Sequence, residues 1–166
     1  MNKKYQIIYV DPPWSYYNDM TVTLEQNKAK DFISRNPYQV MSSKDIKALP
    51  IQNIADDNCI LFIWTTDYHL SRCCEVIKEW GFEYKTVGFV WQKLNKKNQP
   101  VCFMGNYTLK SGVELCLLAT KGTNATKLVK NRKVRALLQS QRESHSKKPD
   151  EIRNRIVELC GNIPRV

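Results

Sequence analysis

An aspartate, two prolines and a tryptophan stand in a row at residues 11–14, directly after the apolar run YQIIYV at residues 5–10. These residue types set out a particular chemistry. Proline has no N–H and a fixed φ, so Pro12 and Pro13 make a stiff turn. The Pro12 carbonyl is then expected to stay free to accept a hydrogen bond from a ligand, and Asp11 offers a second acceptor beside it. Two adjacent acceptors suit an NH2 group, and Trp14 supplies a flat face on which a base can stack. The same four residues also read as a tight turn whose tryptophan simply packs beneath a sheet.

An exocyclic amine on adenine is a poor nucleophile because its lone pair is delocalised into the ring. Two acceptors holding its hydrogens favour a pyramidal nitrogen with an exposed lone pair. They also stabilise the positive charge that develops as the nitrogen takes a methyl group. Most of the acceleration comes from holding that nitrogen in line with an activated methyl. The same arrangement would serve another amine, such as cytosine N4 or a protein amide.

The elements that must position these residues are legible from periodicity. Tyr5–Val10 is a short buried strand, so Asp11–Trp14 lie at its carboxyl end, where open α/β sheets bind ligands. Residues 15–40 are polar and aperiodic and read as a long loop. Ser42 or Ser43 caps a short helix through Leu49, which Pro50 stops. Cys59–Trp64 is the clearest buried strand. Leu70, Cys73, Cys74, Ile77 and Trp80 recur at helical spacing before Gly81. Further strands are expected over Tyr84–Gln92, Val113–Thr120 and, shorter, Val134–Gln139. A last helix opens at Pro149–Glu151 and ends at Gly161. Strands alternating with helices predict one α/β domain spanning residues 1–166, with a largely parallel central sheet flanked by helices.

Composition bounds the partners. Lysines and arginines number 26 against 16 acidic residues, a net charge of +10. That excess favours a polyanion, nucleic acid before a membrane surface. The six cysteines have no CxxC spacing and only His69 and His145 to join them, so no metal is expected. With no signal peptide and no membrane-length segment, reduced cysteines in a cytoplasmic protein are the expectation, nucleoid-associated if the substrate is DNA.

Residues 121–135, KGTNATKLVKNRKVR, carry Lys121, Lys127, Lys130, Arg132, Lys133 and Arg135 with no acid among them, and Lys93, Lys96 and Lys97 form a second basic turn. Both follow expected strands, so both are placed beside one cleft, gripping phosphates; the plainer reading of either is a solvated loop. An adenine amine inside a duplex is reached only by flipping the base or by choosing a single strand. Tyr16, Tyr17 and Tyr38 lie on the polar segment expected to close over such a base.

Taken in order, YVDPPW, NPYQVMSSKDIKALP, LFIWTT, WGFEYKTVGFVWQK, VELCLLATKG and RESHSKKPDEIRNRI cover nearly the whole chain. This ordered set resembles the MT-A70-like family of adenine-N6 methyltransferases, most closely its short bacterial and phage members. The resemblance implies a Rossmann-like fold and methyl transfer from S-adenosylmethionine to the adenine amine of DNA or RNA. It implies that Asp11–Trp14 are the catalytic tetrapeptide, with Asp11 and Pro12 holding the amine and Asp11 near the methionine end of the cofactor. Tyr38 resembles the family's aromatic at the substrate mouth. Trp64 and Trp91 match tryptophans lining the cleft, or equally serve as core residues. Arg142, His145, Ser146 and Lys148 are implied as contacts to the cofactor's ribose and carboxylate, with Lys110 reaching the same carboxylate.

Two departures bear on this. The six glycines are scattered singly, without a glycine-rich cofactor loop, which the family also generally lacks. Family members usually continue past the position of Val166 with a strand and an Asn-containing segment that holds the cofactor's ribose and adenine. The competing expectation is therefore a non-catalytic nucleic-acid-binding subunit with an incomplete cofactor pocket. A second subunit, identical or different, is an expected partner in either case.

Overall fold

The computed structural model describes residues 3–15, 40–102, 112–144 and 147–166. Five strands form one sheet in the order β1-β2-β4-β3-β5. They are β1 (Tyr5–Val10), β2 (Ala55–Thr65), β3 (Glu83–Leu94), β4 (Val113–Lys121) and β5 (Leu137–Gln141). β1 pairs with β2 in parallel and β3 with β5 in parallel, while β4 is antiparallel to both β2 and β3. Four strands thus point one way, as expected for a largely parallel sheet, and β4 alone runs against them. The carboxyl ends of β1, β2, β3 and β5 and the start of β4 share one end of the sheet.

The sheet is buried on both faces because its strands alternate. On β2, Cys59, Leu61 and Ile63 join one apolar cluster, and Ile60, Phe62 and Trp64 join the other. The first cluster is closed by helix α1 (Ser43–Lys47), through Ile46, and by α3 (Leu70–Glu79), through Cys73, Val76 and Ile77. The second is closed by α4 (Asp150–Cys160), through Ile152, Ile156 and Cys160. A mixed α/β single domain results, consistent with a Rossmann-like methyltransferase fold.

Local chemistry explains the boundaries. Ser42 caps α1, its Oγ accepting from the Asp45 N–H at 3.1 Å. Pro50 separates α1 from a further short helix, α2 (Ile51–Ile54), which was not expected from sequence. The same fixed φ that stops one helix suits the start of the next. Gly81 and Gly161 end α3 and α4 at φ 76° and 81°. β5 starts at Leu137 rather than Val134. The Lys130 and Asn131 N–H groups donate to the Leu159 carbonyl and the Lys133 N–H to Asn131 Oδ1, so pairing with β3 begins only beyond them. At the other edge the Tyr9 N–H donates to the Val166 carbonyl and the Val166 N–H to that of Ile7, laying residues 164–166 in parallel along β1.

All described cysteines are free; Cys59, Cys73, Cys116 and Cys160 are buried, Cys74 half-buried and Cys102 exposed. No described helix is long and apolar enough to cross a membrane.

Candidate active site

Asp11 leaves the end of β1 and enters the turn that its two prolines stiffen. The Trp14 N–H closes that turn on the Pro12 carbonyl at 2.9 Å, and the Met41 N–H donates to the Pro13 carbonyl at 2.9 Å. Contrary to the expectation from sequence, the Pro12 carbonyl is therefore not wholly free: the turn itself uses one of its lone pairs. A carbonyl oxygen has two, so the second remains for another donor.

Of the two readings of Trp14, the structure shows the packed one. Its side chain is 9% exposed, and its indole N–H donates to the Trp64 carbonyl at 2.9 Å. Its ring stacks on His69 with centroids 5.7 Å apart. The indole is engaged in holding the turn onto β2. His69 was missed as part of this arrangement. Its Nε2 lies 2.8 Å from the Ser15 carbonyl, which can only accept, so Nε2 carries a proton. Nδ1 lies 2.9 Å from Thr66 Oγ1. Burial lowers the His69 pKa, which favours the neutral ring with Thr66 donating. The only hint in the sequence was a threonine three residues before a histidine at a helix start.

Above the strand ends runs a chain of alternating charge. Lys148 Nζ lies 2.7 Å from Asp11 Oδ2 and 3.1 Å from Glu114 Oε2, and Lys93 pairs with Glu114 Oε1. The order follows the sheet. Asp11 extends β1, Glu114 is the second residue of β4, and Lys148 bridges them above Trp64 of β2, its ammonium 5.6 Å from the ring centroid. Lys93 lies 5.2 Å from the Trp91 centroid on β3. The two tryptophans meet edge to face at 6.4 Å, and their N–H groups donate to Tyr9 Oη and Ser140 Oγ. Trp64 and Trp91 are 1% and 3% exposed, so both belong to the core while their rings support the two lysines. Glu114 was not singled out from sequence, although a carboxylate heading so apolar a strand was a signal.

The electrostatics follow from this packing. Burial raises the Asp11 pKa and Glu114 adds to the rise, while Lys148 and Lys93 oppose it. Burial lowers that of Lys148, but Glu114 and Asp11 together outweigh it and the net shift is upward. Asp11 nevertheless keeps 39% of its side chain exposed, so its carboxylate is open to an incoming group.

The other candidate residues divide. Arg142 follows β5 at the same end of the sheet, its N–H donating to the Leu94 carbonyl at 3.3 Å. Lys148 lies at that end as well, against Asp11. Tyr16, Tyr17, Tyr38, Lys110, His145 and Ser146 lie outside the described residues. The basic segments require a correction. Lys93 lies within β3 and is paired with Glu114, leaving Lys96 and Lys97 on the turn beyond. Because β4 is antiparallel, residues 121–135 start at the opposite end of the sheet from Asp11. Lys130 sits beside Leu159, roughly 14 Å along α4 from its first residue at 1.5 Å per residue. Lys130, Arg132 and Lys133 therefore do not flank the cleft at Asp11.

Comparison with known proteins identifies the family. The chain is 39% identical over 173 aligned residues to the Type II methyltransferase M.MunI of a Mycoplasma species, covering 99% of this chain and 71% of that protein. It is 28% identical to the N(6)-adenosine-methyltransferase MT-A70-like protein of Drosophila melanogaster, over 98% of this chain and 24% of that one. It is 30% identical to the N6-adenosine-methyltransferase non-catalytic subunit MTB of Arabidopsis thaliana, over 72% of this chain and 14% of that one. The family model described as MT-A70 matches residues 5–166. The chain belongs to the MT-A70 family and is an enzyme of that methyltransferase family.

Proposed function

We propose that the chain methylates the exocyclic N6 amine of adenine in DNA or RNA, using S-adenosylmethionine as MT-A70 methyltransferases generally do. The observation that carries this reading is Asp11. It is a partly open carboxylate at the end of the first strand, backed by a turn that two prolines stiffen and paired with a lysine from late in the chain.

The charges at the site suit the cofactor. The methionine end of that cofactor bears an ammonium and a carboxylate, and Asp11 and Lys148 are the complementary pair. When bound, the cofactor supplies an electrophilic methyl on a sulfonium. Asp11 and the second lone pair of the Pro12 carbonyl orient the amine and stabilise positive charge growing on its nitrogen. Trp14 acts one step away, locking the turn through its hydrogen bond to Trp64 and its stack on His69. The segment from Arg142 to Lys148 is the part proposed to contact the cofactor, with His145 and Ser146 among it. Lys110 and Tyr38 are proposed cofactor and base contacts on the strength of the family pattern, and Tyr16 as a base contact from its place on the polar segment. Lys130, Arg132 and Lys133 are proposed to contact nucleic acid away from the reacting base.

The test is transfer of labelled methyl from S-adenosylmethionine to single-stranded DNA, duplex DNA and RNA, with N6-methyladenine identified in the digested product. Transfer by the wild type and its loss in Asp11→Ala at unchanged melting temperature is the expected result. Methylation of cytosine, or activity retained in Asp11→Ala, would overturn it.

A further inference from the structure

Lys148 stands between two carboxylates, Asp11 at 2.7 Å and Glu114 at 3.1 Å, and the side chains of Lys148 and Glu114 are each 14% exposed. A poorly hydrated ammonium cannot leave its counter-ion cheaply unless another receives it. A ligand amine or ammonium that takes Asp11 Oδ2 displaces Lys148, because that oxygen is the one the lysine holds.

Glu114 is placed to receive it by topology. Only an antiparallel strand brings its first residues to the end of the sheet where its neighbours finish. The head of β4 is also held closely. A Cβ on Gly112 would lie 1.9 Å from the Val101 carbonyl oxygen, so the backbone approaches there as no side chain allows. The two oxygens of Glu114 are divided, Oε1 toward Lys93 and Oε2 toward Lys148.

We propose that Glu114 is a positioning residue for the transfer reaction: it receives Lys148 when Asp11 turns to its ligand, an inference that rests on reading Asp11 as the ligand's acceptor. After the hand-over, Lys93, Glu114 and Lys148 remain an alternating run, and Asp11 is left as a carboxylate seeking a donor. The amine of the base or the ammonium of the cofactor meets that requirement. Among the described residues, the charged and titratable groups around this centre include Tyr9 from β1, Asp11 just after it, Glu114 and Cys116 from β4, Lys93 from β3, Lys148 before α4 and Arg153 on it.

The experiment is carboxyl-carbon NMR titration of Asp11 in cofactor-free wild type, Glu114→Gln, Lys148→Met and the double variant, with melting curves and S-adenosylmethionine calorimetry on each. In Glu114→Gln, Asp11 is the one of the two carboxylates that still holds Lys148, so Asp11 is expected to titrate lower than in wild type. That shift is expected to be larger with Lys148 present than in the Lys148→Met background, because the two residues act as a unit. S-adenosylmethionine binding is expected to weaken about tenfold, as the ligand-ready state becomes less populated, and Glu114→Asp to restore part of it. Equal shifts in both backgrounds would reduce Glu114 to a charge acting through space and overturn the proposal. A rise of Asp11 toward its Lys148→Met value would overturn it too, by showing that Glu114 merely anchors the lysine. If no variant and no wild type binds S-adenosylmethionine, the proposed function falls, and the cofactor-free titrations still decide for or against Glu114.

Discussion

The two ends of the sheet handle charge in opposite ways. At the end where β1 finishes, four charges of alternating sign from three strands and a loop are paired to one another above two tryptophan rings. Toward the other end, residues 121–135 carry charge of one sign, and among the described residues none of their lysines or arginines forms an ion pair. Paired, poorly hydrated charge has a defined geometry and suits recognition of a small ligand. Exposed charge of one sign has a field but little geometry, which suits a polyanion held by counter-ion release. The difference separates chemistry from grip, although the net charge alone would have assigned both to one cleft.

The largest expected break of this contrast is Asp11→Ala. Methyl transfer should fall by about 10³-fold or more, the scale on which a positioned acid–base or charge-stabilising group acts, while nucleic-acid affinity stays near wild type in a filter-binding or anisotropy assay. Next comes Trp14→Ala, which removes a buried aromatic and its hydrogen bond; chemical denaturation should show a loss of about 3–5 kcal/mol. The reverse contrast is tested at the other end. Replacing Lys130, Arg132 and Lys133 together by glutamate should weaken nucleic-acid binding about tenfold to a hundredfold. It should also flatten the salt dependence by about 0.9 in log–log slope for each phosphate no longer neutralised. The turnover number at saturating substrate should not change. Unchanged binding would place the phosphate-binding residues elsewhere.

A smaller and sharper effect is in pH. Lys148 lowers the pKa of Asp11, against burial and Glu114, which raise it. Asp11 acts ionised, so activity rises with pH through its pKa, and Lys148→Met should move the acidic limb of the pH–rate profile to higher pH. A limb that stays put would detach Asp11 from the rate. Stability carries the complementary sign. The folded protein raises the pKa of Lys148, so its contribution is complete below the ordinary lysine value of about 10.4 and is lost as pH rises through the raised one. Alkaline melting curves of wild type and Lys148→Met should therefore converge.

Much of this was legible before any coordinates. The strand before Asp11, the helix closed by Gly81 and the helix closed by Gly161 were visible because apolar period and turn chemistry are local properties. The stiff turn at Pro12–Pro13 was equally visible. Its closure on its own Pro12 carbonyl was not, because that depends on the direction of the Trp14 N–H. The burial of Trp14 was one of two readings left open, since an aromatic after a turn has the same letters whether it faces a ligand or His69. The placement of residues 121–135 failed for one reason: an apolar strand such as Val113–Lys121 reads the same in either direction, and its reversal starts the segment directly after it at the other end of the sheet.

The sequence by itself determined the elements, the net charge and the residues of the turn, since each follows from near neighbours and from counting. Only the tertiary structure decided that Lys148 meets Asp11 across 137 positions of chain and that Glu114 stands ready beside them. Strand order and strand direction set those meetings. They come from the burial of whole faces against one another, and no short stretch of sequence contains that information.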